Sequence, residues 1–166
     1  MPRYVIDTNV PIVANGEDEA ITHDCRKAAV TLLMKAIEKG KVFLDSEGAI
    51  QDEYRRYLNP KGQPGVGDRF FLEVINSHPN KVARVDLQKR ADGEYLDLPQ
   101  AIIDSGFDPS DRKFAAVAKK SGAKVYNAVD SDWVERRTVI EANGIEIVFL
   151  CGCDPAQWRR PEEVDL

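Results

Sequence analysis

Position, more than number, gives the carboxylates of this 166-residue chain their chemical interest, because its 28 acidic residues would be scattered in any case. Asp7 follows the β-branched and aromatic run Arg3–Ile6, and Asp130 and Asp132 follow the run Lys124–Ala128. If these runs are parallel strands, the acids lie at strand carboxyl ends, where open α/β sheets bind ligands. Asp111 sits in the first turn of a helix leading into the second of these runs, and Glu53 falls at the helical phase of Ile50, Tyr54 and Tyr57. A glutamate at an apolar phase needs a partner, because an unpaired buried charge is costly. Converging carboxylates would also repel one another and raise each other's pKa. A hard divalent cation with oxygen ligands, Mg²⁺ or Mn²⁺, answers both needs.

Each acid also has a plainer reading. Asp111 is the N3 residue of a helix capped by Asp108 with Pro109 at N1, where an acid complements the helix dipole. Asp132 can cap a helix with Glu135 three residues on, and Glu53 can pair with Arg56 or Lys35. Asp7, followed by Thr8-Asn9, has no helix-cap motif to explain it as well. What distinguishes the set is its order along the chain.

Other reactive side chains offer less. His23 opens a helix and His78 precedes a proline, so neither is placed as a base. Cys25 lies in an apolar stripe and reads as core, and His23, Cys25, Cys151 and Cys153 match no strong zinc spacing. An odd cysteine count with two cysteines only two residues apart fits no disulfide framework and points to a reducing cytoplasm. A net charge of −5 excludes nucleic-acid coating by bulk charge, leaving local basic pairs as backbone contacts. Arg55 and Arg56 lie beside Glu53, Arg112 and Lys113 follow Asp111, and Arg136 and Arg137 lie beyond Asp132.

The elements that must position these groups alternate. Strands are expected at Arg3–Ile6, Lys41–Leu44, Val82–Val85, Lys124–Ala128 and Ile145–Leu150. Between them, helical periodicity appears from Thr22 to Gly40, from Ser46 as cap to about Leu58, through Phe70–Ile75, over Pro99–Ser105, from Asp108 to Ser121, and over Trp133–Ala142. Asn59–Gly67 reads as loop, and Asp86–Tyr95 has no clear pattern. Strands separated by helices pair in parallel, so the expected fold is an α/β/α three-layer sandwich around a mostly parallel sheet of about five strands. One domain over residues 1–150 and a polar surface tail over 151–166 follow, with no apolar run long enough to span a membrane.

Four segments resemble the PIN domain family of metal-dependent ribonucleases. They are Tyr4-Val5-Ile6-Asp7-Thr8-Asn9, Ile50-Gln51-Asp52-Glu53-Tyr54, Asp111 through Ala118, and Asp130-Ser131-Asp132-Trp133. The resemblance implies that Asp7, Glu53, Asp111 and Asp130 ligate Mg²⁺ or Mn²⁺, with Asp132 as a fifth acid or a supporting group and Asn9 as a polar support. It implies hydrolysis of phosphodiester bonds in single-stranded RNA, leaving 5′-phosphate and 3′-hydroxyl ends. Many small bacterial members are toxins, so the resemblance further implies an antitoxin-like inhibitory protein and self-association. The small hydroxyl residue that often precedes the last motif is absent, Asn127-Ala128-Val129 standing there.

Other classes fit less well. A haloacid-dehalogenase-type phosphatase needs a second Asp two residues after the first, where this chain has Asn9. A receiver domain needs an acidic pair after its first strand, which is missing even if Asp45 is offered as phosphoacceptor. A PIN-like module that binds RNA or acts as scaffold without catalysis is the remaining alternative, and metal titration separates it from a nuclease.

Overall fold

The computed structural model describes residues 1–161. Strands β1 (Arg3–Ile6), β2 (Lys41–Asp45), β3 (Val82–Val85), β4 (Lys124–Asn127) and β5 (Ile147–Phe149) form one sheet in the order β3-β2-β1-β4-β5. Every pairing is parallel, with Tyr4 opposite Val42 on one side and Lys124 on the other. Parallel neighbours need crossovers, which the helices supply. These are α1 (Asn9–Asn15), α2 (His23–Lys39), α3 (Ala49–Tyr57), α4 (Val66–Asn76), α5 (Gln100–Asp104), α6 (Arg112–Ser121), α7 (Ser131–Glu135) and α8 (Arg137–Ala142). The architecture is the α/β sandwich expected, with Val5, Ile6, Leu44 and Val125 fully buried in the sheet. Unbroken apolar runs in the central strands reflect cover on both faces.

Several boundaries differ from the sequence reading for local reasons. Ser46 does not cap α3. The Asp45 carboxylate accepts from the amides of Ala49 and Ile50, both at 2.8 Å, and the chain turns through Gly48 at φ 88°. A carboxylate serves two amides where a hydroxyl serves one, and Ser46 donates instead to Asp86. The helix expected from Asp108 begins as a 3₁₀ turn over Pro109–Asp111, and the one expected over Trp133–Ala142 breaks at Arg136. Arg136 reaches across to the Ser105 carbonyl at 2.8 Å. Close packing of α1 on α4 depends on Gly67, whose missing side chain leaves room for the Pro11 carbonyl.

The described part of the C-terminal segment is anchored. Ile21 and Arg159 form an antiparallel bridge, Trp158 is buried, and the amides of Thr22 and Arg160 donate to Trp158 and Ala20. Residues 162–166 lie outside the described residues. Cys25 is buried as expected, but it is bonded to Cys151, with 4.9 Å between their Cα atoms. This corrects the reading of unpaired cysteines: the fold joins residues 126 apart in sequence, which spacing alone could not reveal. It also removes the cysteine-based argument for a reducing compartment, since such bonds persist mainly in oxidising ones. Among the described residues no helix is long and apolar enough to cross a membrane.

Candidate metal centre

The chain runs outward from β1 to β2 and β3, then returns to the other side of β1 for β4 and β5. The sheet therefore changes winding direction between β1 and β4, and a crevice opens there at the strand carboxyl ends. Asp7 follows β1 with its amide still donating to the Tyr126 carbonyl of β4, at 3.2 Å. Asp130 lies three residues past β4 as the N-cap of α7, and Asp111 ends the 3₁₀ turn before α6. Each of the three offers a carboxylate oxygen within 4.8 Å of the others.

Two asparagines and a tryptophan fix this arrangement. Asn9 donates to Asp7 Oδ1 at 2.6 Å and to Asn127 Oδ1 at 2.9 Å, while its own Oδ1 accepts from the amides of Ala128 and Val129. It thereby joins the ends of β1 and β4. Asn127, fully buried, accepts from the Asp130 amide at 3.2 Å and donates to the Asp130 carbonyl at 3.1 Å. The Trp133 indole donates to Asp7 Oδ2 at 2.9 Å from a fully buried position against Phe107. Beneath them, the Tyr54 hydroxyl donates to the Ile6 carbonyl and secures the last residue of β1 against α3.

The electrostatics are those of acids held together without an opposite charge among them. Burial pushes the Asp7 carboxyl up to about 6, with the Asp130 charge adding to it against donors from Asn9 and Trp133. Burial pushes Asp111 further, to about 10, reinforced by the charges of Asp7 and Asp130. A side-chain hydrogen bond with Asp130 and the charge of Asp108 add to the rise. The plainer reading holds beside this one: Asp108 caps the turn with Pro109 next to it, and Asp111 sits at the start of α6, though without a capping hydrogen bond to it. Two buried carboxylates and the half-buried one of Asp130, offering only oxygen, suit Mg²⁺ or Mn²⁺, hard cations bound by such donors.

Glu53 and Asp132 are near this cluster but not in it. The Glu53 carboxylate accepts from Lys113 Nζ at 2.8 Å and from the Thr8 hydroxyl. Asp132 accepts from the Asp108 amide at 2.8 Å, tying α7 to the turn that carries Asp111, and burial raises its pKa. Asp130, rather than Asp132, caps α7, because its Oδ1 accepts from the Asp132 amide.

Most of the expected backbone-binding cations are engaged within the protein. Arg112 holds Glu94 at 2.6 Å and the Phe107 carbonyl at 2.9 Å, Lys113 holds Glu53, Arg136 holds the Ser105 carbonyl, and Arg137 holds Glu141. Arg55 and Arg56 are exposed, the Arg55 guanidinium lying over the Phe71 ring. Sequence reasoning missed Thr8, Asn127 and Trp133 as site residues. An amide closing an otherwise apolar strand was the available signal for Asn127, and an aromatic directly after two acids was the signal for Trp133. Comparison of the chain with protein-family models, with curated proteins and with solved structures returned no match.

Proposed function

We propose that this chain is a metal-dependent endoribonuclease that hydrolyses phosphodiester bonds in single-stranded RNA. The observation that carries the reading is the convergence of Asp7, Asp111 and Asp130 at the point where the sheet reverses its winding. Those three carboxylates would hold Mg²⁺ or Mn²⁺. Bound there, the ion supplies Lewis-acid stabilisation of charge developing on the phosphodiester and lowers the pKa of the attacking water. The chain's own part is to keep the three oxygens converged. Trp133 and Asn9 fix the Asp7 carboxylate, Asn127 fixes the Asp130 backbone, and Asp132 fixes the turn bearing Asp111.

The choice of RNA comes from the four-motif resemblance to PIN domain ribonucleases, and the same resemblance suggests an antitoxin-like inhibitor and a homodimer as partners. On α3, exposed Arg56 and Tyr57 follow Glu53 by three and four residues, so they share its helical face. A cation and an aromatic ring there suit the phosphates and bases of a single strand.

The test is cleavage of a labelled single-stranded RNA by the purified chain with Mn²⁺, with Mn²⁺ plus chelator, and with Asp7→Asn. Cleavage in the first reaction alone, leaving 5′-phosphate ends, supports the reading. Chelator-insensitive cleavage, or an intact substrate in all three, rejects it. Stoichiometric Mn²⁺ binding without cleavage would favour the non-catalytic RNA-binding or scaffold module.

A further inference from the structure

Glu53 carries the fourth acidic charge beside the three aspartates, yet its carboxylate is turned to other partners. One oxygen accepts from Lys113 Nζ at 2.8 Å and the other from the Thr8 hydroxyl, so both already have donors. The pair is largely withdrawn from solvent, with side-chain exposures of 12% for Lys113 and 15% for Glu53. Lys113 Nζ also donates to the Ser110 carbonyl. Thr8 adjoins Asp7 in the chain, and Lys113 and Ser110 lie on either side of Asp111. The ion pair is thus tethered beside two of the three cluster residues.

A second divalent ion at this edge would need Glu53 as a ligand. To obtain it, the ion would have to displace an ammonium from a nearly enclosed carboxylate and leave that ammonium without its counter-charge. Removing one member of a buried pair costs far more than the pair itself contributes. An ammonium also has three N–H donors, and two of them are used here. Among the described residues nothing takes the third, which leaves it for a phosphate oxygen.

Building on the metal-centre reading above, we propose that the Lys113 ammonium occupies the place of a second cation. The centre takes one divalent ion, and Lys113 supplies the second positive charge to the substrate phosphate. Glu53 positions Lys113 instead of ligating metal. Charge stabilisation from a fixed ammonium needs no reorganisation during reaction, which is what makes preorganised donors effective.

The test counts ions on the full chain without RNA, by calorimetry and by electron paramagnetic resonance of free Mn²⁺, with Mn²⁺ alone as the probe. Wild type and Lys113→Arg should each bind one Mn²⁺. Lys113→Met should free Glu53 and bind two, and the double variant Lys113→Met/Glu53→Gln should return to one. Two ions of comparable affinity on the wild type would overturn the inference. So would a single ion on a Lys113→Met protein whose circular dichroism shows it folded. If Lys113→Met does not fold, the wild-type count and Lys113→Arg decide alone. Absence of Mn²⁺ from every form would reject the metal centre itself, a different result from two ions on the wild type.

Discussion

Replacing Asp111 by Asn should stabilise the metal-free protein, although the residue is proposed to be essential for function. In the folded chain its carboxyl is pushed from 3.8 to about 10, by burial first and then by the charges of Asp7 and Asp130. At neutral pH the folded state therefore takes up a proton that the unfolded chain does not bind. Stability then falls as pH rises from the unfolded value through the folded one, with a limiting slope of about 1.4 kcal/mol per pH unit. Asn has the same shape and no such titration. Between pH 3.8 and pH 7 the slope accumulates to a ceiling near 4 kcal/mol, and sharing of protons within the cluster lowers the expected gain to about 2–4 kcal/mol. That corresponds to a rise in melting temperature of roughly 5–10 °C for a domain of this size.

Urea unfolding of both proteins in chelator, followed by circular dichroism at pH 5 and pH 7, measures the effect. The variant's advantage should be small at pH 5 and large at pH 7. Saturating Mn²⁺ should then stabilise the wild type by about 3 kcal/mol at a hundredfold excess over its dissociation constant, and leave the variant unmoved. A variant less stable than the wild type at pH 7, or an advantage independent of pH, would refute the reasoning.

Trp133→Phe keeps the aromatic contact with Phe107 but removes the indole donor to Asp7 Oδ2. A hydrogen bond to a charged group contributes about 1.5–3 kcal/mol, so Mn²⁺ affinity should fall by roughly tenfold or more while near-native secondary structure is retained. Unchanged affinity by calorimetric titration would mean that the indole does not position Asp7. Reduction of the Cys25–Cys151 bond releases a cross-link between residues 126 apart and should cost about 2–4 kcal/mol, read as a lower urea midpoint with dithiothreitol. An identical midpoint in both conditions would show that the Trp158 and Arg159 contacts hold the C-terminal segment by themselves.

The sequence by itself determined the layered fold and the order of its acids along the chain. Apolar runs such as Tyr4–Ile6 and Lys41–Leu44, each separated by a periodic stretch, leave parallel pairing as the economical solution, and burial on both faces explains why those runs hardly alternate. That pattern also indicated which acids follow strands, and so put Asp7 and Asp130 at the ligand-binding edge. Strand order was not legible, and with it the reversal between β1 and β4 that makes these two acids neighbours. Nor could spacing separate Glu53 from Asp111. One lies at an apolar helical phase and the other in a helix's first turn, but an ammonium 60 residues away in sequence claims Glu53, while Asp111 meets like charges. The Cys25–Cys151 bond and the turning of Arg112, Lys113, Arg136 and Arg137 onto internal acceptors have the same origin. A long side chain takes whichever opposite charge or carbonyl the fold brings within reach, and that partner is chosen by tertiary structure because neighbours in space are seldom neighbours in the chain.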